Sequence, residues 1–250
     1  MKINILIFIL LTASLKVLSQ PPLGGSVVYT RTTTYNFQST GNDEWDAYAR
    51  TLPGEGKFEK HLMFTSERSL YIEALSSEEN LPTEHQKALF FVNYGKTPRP
   101  ILKQLFIDFE EEKSCALLEF MTREFRVENS IKNWGWKLQA ERKKIGAFVC
   151  MKATANLEGD MITAWFTPEV PVPAGPAEYH GLPGLVLAVE RLDETIFLAT
   201  SVDLTAPDQK LLVPPGTGKL TSPEDFDKIV EKKVEEFEQH GPDKANYYKK

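Results

Sequence analysis

The sequence is short of the residue groupings that mark most enzymes. It contains two cysteines and four histidines, and neither set falls at metal-ligand spacing. No Gly-x-Ser-x-Gly turn offers a nucleophile, no glycine-rich loop offers a phosphate cradle, and no repeat runs through the chain. The strand–helix alternation of a parallel α/β fold is also missing. Basic residues are outnumbered, 29 Lys and Arg against 35 Asp and Glu, for a formal charge of −6. That balance argues against a nucleic-acid binder, which normally shows a basic face, while leaving room for a local basic patch; no nucleic-acid partner is expected. The longest apolar run, Ile3–Leu11 with Asn4 inside it, falls short of the ~20 residues a membrane helix needs. None of these residues requires a cofactor or a metal.

What is present begins with an export signal. Met1-Lys2 supplies a positive start, Ile3–Leu11 an apolar centre, and Val17-Leu18-Ser19 small or β-branched residues before a cut between Ser19 and Gln20. Removal of residues 1–19 takes Lys2 and Lys16 and no acid, leaving 27 bases against 35 acids, or −8. The expected location is the periplasm or outer envelope, as a soluble protein; no cysteine at the cut suggests a lipid anchor. In an oxidising compartment Cys115 and Cys150 read as a disulfide, worth roughly 3–4 kcal/mol. The alternative is two buried free thiols.

Hydrophobic residues, at 42%, suffice for a core, and 250 residues suit one medium domain. Apolar alternation and turn residues mark strands at 26–36, 58–65, 68–75, 86–94, 101–109, 115–127 (one strand or two), 134–140, 145–155, 161–167, 182–190 and 195–204. Trp45, Tyr48 and Ala49 suggest a short helix over 43–51. A second helix starts at Ser222-Pro223-Glu224, where serine caps and proline suits the first turn. Phe226, Ile229, Val230, Val234 and Phe237 give it one apolar face, and Gly241-Pro242 ends it. Consecutive strands with short links pair antiparallel. The expected fold is mainly β: a large curved antiparallel sheet, half-barrel or open barrel, with one C-terminal helix and one short N-terminal helix. Residues 20–206 form this domain, and 207–250 a linker and helix packed on it.

The most specific stretch is Thr163–Glu190, TAWFTPEVPVPAGPAEYHGLPGLVLAVE. Pro168, Pro171, Pro173 and Pro176 lack backbone donors and fix φ, so this part is no central strand. It runs along an edge or crosses between strands. Pro183 pushes Leu182 to extended geometry, and Pro183-Gly184 suits a type II turn with Gly184 at positive φ. Read structurally, the stretch is a rigid connector that sets register. Read functionally, it is the rim of a pocket, with Trp165, Tyr179 and His180 facing a ligand.

These residues carry a resemblance. The runs WKLQAERKKIGAFVCMKATA, TAWFTPEVPVPAGP and GLPGLVLAVE resemble the GLPGLI family of exported Bacteroidetes proteins. The namesake motif is Gly181-Leu182-Pro183-Gly184-Leu185, with Val186 where isoleucine is usual. Phe166 stands where tyrosine is common. The close match spans about residues 134–190, and the first half fits more loosely. The resemblance implies an exported, strand-rich protein and no settled chemistry. Its sheet pattern is similar to periplasmic half-barrel lipoprotein carriers, on architecture alone.

The leading expectation is a non-enzymatic envelope protein that binds an apolar molecule such as a lipid, a peptide, or an envelope protein. Its candidate rim is Trp165, Pro168, Glu169, Tyr179, His180 and the motif Gly181, Leu182, Pro183, Gly184 and Leu185. One alternative is a periplasmic hydrolase or peptide-processing enzyme in which His180, with Glu178 and Glu169 nearby, does acid–base work. Another is a metal-binding factor using Cys115, Cys150 and a histidine. His61, His85 and His240 read as solvent-side residues, and Asp108 with Glu110–Glu112 as a solvated turn.

Overall fold

In strand β2 (Glu55–Thr65), Phe58, Lys60, Leu62 and Phe64 are buried while Glu55, Lys57 and Glu59 are exposed, the period-two pattern of a strand with one face on a core. The same alternation repeats along the chain. The computed structural model describes residues 23–37, 39, 42–73, 82–93, 97–157, 159–191 and 194–244. The expected export signal, residues 1–19, lies outside them, as does most of the loop expected over 76–83.

Around β2 lie β1 (Gly24–Thr34), β3 (Arg68–Glu73), β4 (Ile101–Asp108), β5 (Lys113–Phe120) and β6 (Arg123–Ser130). The second half supplies β7 (Lys137–Ile145), β8 (Phe148–Leu157), β9 (Asp160–Thr167), β10 (Leu185–Arg191), β11 (Glu194–Asp203) and the short β12 (Lys219–Thr221). All form one open, curved sheet in the order β12-β6-β5-β4-β3-β2-β1-β11-β10-β9-β8-β7. Every pairing is antiparallel except β12 beside β6. The first strand therefore sits near the middle of the sheet, paired on one side to β2 and on the other to β11. The large curved antiparallel sheet expected from the sequence is the fold.

One cross-strand row runs Val27, Leu62, Tyr71, Leu105, Ala116, each opposite the next. This face carries the main core. In the neighbouring row Lys60, fully buried, stands opposite Glu73 and donates to its Oε1 at 2.7 Å, and Arg31 donates to the same oxygen at 3.1 Å. The opposite face carries a smaller cluster of Leu70, Phe106, Cys115 and Leu212.

Helix α1 (Asp43–Ala49) begins where Asn42 Oδ1 accepts from the Glu44 N–H at 3.0 Å. Helix α3 (Pro223–Lys244) begins as expected, with Ser222 Oγ accepting from the Asp225 N–H at 3.1 Å. Its Phe226 packs on Phe125 and Phe120, ring centroids 5.2 and 6.5 Å away. Burial of one such ring is worth about 2 kcal/mol. α3 runs past Gly241-Pro242 to Lys244, so the stop expected there is not taken.

Three expectations are corrected. Residues 86–94 are not a strand; α2 (Thr83–Asn93) is a helix, with Ala88 and Leu89 against Tyr35 and Leu52. β3 is already flanked by β2 and β4, so no edge remained there for another strand. Its His85 is half-buried with its ring 6.1 Å from Tyr35, and His61 is half-buried as well, its Nε2 bonded to Glu59. Strand β7 starts at Lys137, so Trp134 and Trp136 stand in a loop whose Gly135 has φ +60. The β7–β8 turn falls at Gly146, φ +58, rather than at 141–144.

Candidate functional site

The link from β9 to β10 is a strap laid over the main core. Val170, Val172 and Ala174 turn inward and are fully buried, while Pro171 is exposed and Pro173 half-buried. The strap folds back on itself: the Leu185, Val186 and Gly181 N–H groups donate to the carbonyls of Val170, Ala174 and Pro173 at 2.9, 3.0 and 2.9 Å. Prolines suit this arrangement because the strap is used as a row of acceptors. A proline buried here has no N–H to leave unpaired.

The glycines act differently from expectation. Gly184 is not at positive φ; the left-handed residue is Gly181, at φ +87. Gly184 is needed because a Cβ there would collide with the Thr167 carbonyl, and Gly175 because a Cβ would collide with the Tyr179 carbonyl. The motif is thus a close-packed crossing of backbones.

Tyr179 is buried, not on a rim. Its ring stacks on Trp134 at 5.1 Å, and Trp134 stacks on Trp136 at 5.2 Å. Trp134 Nε1 donates to the Glu178 carbonyl at 2.7 Å, and Trp136 Nε1 to the His180 carbonyl at 2.9 Å. Lys132 lies 3.8 Å from the centre of the Trp134 ring and pairs with Glu178 at 3.2 Å. The 132–136 loop is so bolted onto 178–180. On its other side Tyr179 meets Phe197, which also meets Tyr29 and Tyr71, all edge-on. The Tyr29 hydroxyl donates to the Val186 carbonyl at 2.6 Å.

His180 is 3% exposed and its Nδ1 has no hydrogen-bond partner. Burial, with the Lys132 charge adding to it, pushes the imidazole down to about 4. It is a neutral core histidine. Glu178 is taken by Lys132, and Glu169 Oε1 accepts from the Val149 N–H at 2.9 Å at the start of β8. The expected acid–base pair is not assembled.

Trp165 is not beside Tyr179. Val189 stands opposite both Phe197 and Ala164, so Trp165, next along β9, faces the other side of the sheet. There its Nε1 donates to Glu190 at 3.0 Å, under Lys143 at 4.1 Å from the ring centre. Pro168 is exposed at the start of the strap, while Leu182 and Leu185 belong to the core. Of the candidate rim, Gly181, Leu182 and Pro183 line a surface notch of about 340 Å³, together with Lys132, Trp134, Trp136 and Leu138. The latter four were missed as site residues. The run Asn-Trp-Gly-Trp carried the signal, since a glycine between two indoles marks a turn as readily as a strand.

A second cleft, about 830 Å³, opens on the opposite face over Phe106, Cys115 and Leu212. Arg68–Asp108 at 3.0 Å and Lys113–Glu111 at 2.9 Å stand at its rim. Asp108 is held below its ordinary value, chiefly by the Glu111 N–H and further by Arg68.

The two cysteines are free and buried in different clusters, Cys115 with Leu70, Phe106 and Leu212 and Cys150 within the larger cluster. Bridging needs Cβ atoms about 4 Å apart, which strands so separated do not offer. Burial raises both thiols, Cys150 to about 11. This overturns the disulfide, and with it the metal site built on both cysteines. Among the described residues no group of three His, Cys, Asp or Glu stands together to hold a metal ion, and no helix is long and apolar enough to cross a membrane.

Residues 156–188, the strap with its two flanking strands, match the model of a Bacteroidetes-type family described as protein of unknown function (Porph_ging). No curated protein matches. Two solved structures of PNGF-II, in different space groups, superpose with TM-scores of 0.54 and 0.55 at 15% and 14% identity, over 84% of this chain. The likeness is one of fold alone. This chain spans about a third of theirs, 34% and 33%.

Proposed function

We propose that this is an exported envelope protein of the GLPGLI type, soluble after cleavage at Ser19, that binds a peptide or an envelope partner and performs no catalysis. The observation that supports it is the filling of the sheet's core face by the protein's own Val170, Val172, Ala174 and Tyr179. A lipid carrier keeps that space hollow, and the clefts on this molecule open at the surface instead. The neutral, unpaired His180 speaks against acid–base work. Native mass spectrometry of the protein purified from its own envelope tests the reading. A retained peptide or protein supports it; a stoichiometric lipid restores the carrier, and a stoichiometric metal ion would overturn both.

A further inference from the structure

Among the described residues strand β7 ends the sheet, with a neighbour, β8, on one side only. Its sequence, KLQAERKKI, sets Lys137, Arg142, Lys143 and Lys144 against the single acid Glu141. Lys143 is tied to Glu190 at 2.7 Å and Glu141 to Lys152 at 3.5 Å. Lys137, Arg142 and Lys144 are exposed and have no carboxylate partner among the described residues. Leu138 stands opposite Ala153, and Arg142 opposite Met151, which face Ala164 and Phe166 of the main core. Leu138, Arg142 and, two residues on, Lys144 therefore share the face on which the notch opens. Leu138, 54% exposed, is itself part of the notch with Trp136 and Pro183.

Resting on the binding reading above, we infer that β7 docks an acidic peptide segment as an added strand. The segment's backbone pairs with the outer edge of β7. One large apolar side chain enters the notch against Trp136 and Leu138, and its carboxylates meet Arg142 and Lys144. Main-chain bonds supply affinity in this mode, and alternate side chains supply selection. Charge decides the occupant. Two copies of β7 side by side would set cation against cation, which disfavours pairing of this chain with itself. The other free edge, β12, has only three residues. The register shift between Leu138 and Arg142 bends β7 and keeps the added strand short.

The test uses the intact protein and three capped hexapeptides containing one Phe: one with two Glu, one with Lys in place of Glu, and the Glu peptide N-methylated at alternate amides. Calorimetry and Trp fluorescence report binding. The Glu peptide binds, and the other two bind about tenfold more weakly or worse. Arg142→Glu with Lys144→Glu, both exposed and checked for an unchanged melt, reverses the preference between Glu and Lys peptides. Equal binding of the N-methylated peptide, or equal competition by a polyphosphate, overturns the inference, since either means simple charge attraction. A peptide retained from the envelope whose binding ignores the double variant also overturns it, yet leaves the general reading standing. No peptide or protein retained from the envelope, together with no binding of the Glu peptide, removes both.

Discussion

Protonation of His180 should unlatch the strap, and the effect has a definite size and direction. The imidazole is buried under the 178–180 turn, its Nδ1 unpaired, with Lys132 as the charged group facing it. Its folded-state value of about 4 lies below the ordinary 6.5. The unfolded chain therefore takes up a proton that the folded chain refuses. The stabilisation is fully present above 6.5 and is lost as pH falls from 6.5 toward 4. A separation of about 2.5 units corresponds to about 3 kcal/mol in all, of which about 2 is already lost near pH 5. Asp108, also held low, loses its contribution below the ordinary carboxylate value of 3.8, outside that window. Urea unfolding of the natural protein and of His180→Leu at several pH values isolates the term. The natural protein should lose about 2 kcal/mol more than the variant between pH 7 and 5. An NMR titration of the imidazole supplies a direct check on the unmutated protein. A midpoint near the ordinary value, or parallel pH profiles for the two proteins, would refute the reasoning.

Three further outcomes follow from packing and pairing. Gly184→Ala forces a Cβ into the Thr167 carbonyl and should cost about 3 kcal/mol or prevent folding, whereas Gly54→Ala, with open space around it, should be neutral within about 1 kcal/mol by thermal melting. Thiol reagent should label neither Cys115 nor Cys150 in the native state and both in denaturant, and reductant should leave the melting temperature unchanged; a reductant-dependent melt would restore the disulfide. Glu73→Leu should cost about 3–5 kcal/mol by stranding the fully buried Lys60, and Lys60→Met with Glu73→Leu should cost less than the sum of the singles. Additivity in that cycle would show that the pair does not act as one unit.

Much of the sheet was legible because half-buried strands write their period into the sequence, as in Phe58–Phe64, and because Gly159 and the Ser66-Glu67 link separate hairpin arms. The capped start of α3 was legible for similarly local reasons. The helical state of 83–93 was not, since an apolar run such as Ala88–Val92 fits either element and only the saturation of β3 by its neighbours excludes a strand. Site geometry was legible in location and not in detail. The prolines announced a crossover, but which of Trp165 and Tyr179 faced the core depended on register across β9, β10 and β11. Burial of His180 depended on the distant Trp136 indole reaching its carbonyl. The cysteines misled because compartment was used to infer pairing, and pairing is a matter of distance.

The central position of β1 has a consequence for how the chain assembles. β1 pairs with β2 a short way along the chain, but its other edge waits for β11, with Ser26 opposite Asp203. Until β11 arrives, β1 offers a bare edge, and Tyr29 lacks the Val186 carbonyl that its hydroxyl needs. The β2–β6 side can form from local hairpins, while closure against β7–β11 is a long-range event and should set the folding rate. A chain that emerges N-terminus first thus spends its synthesis with a sticky seam open, the interval in which a chaperone has most to protect.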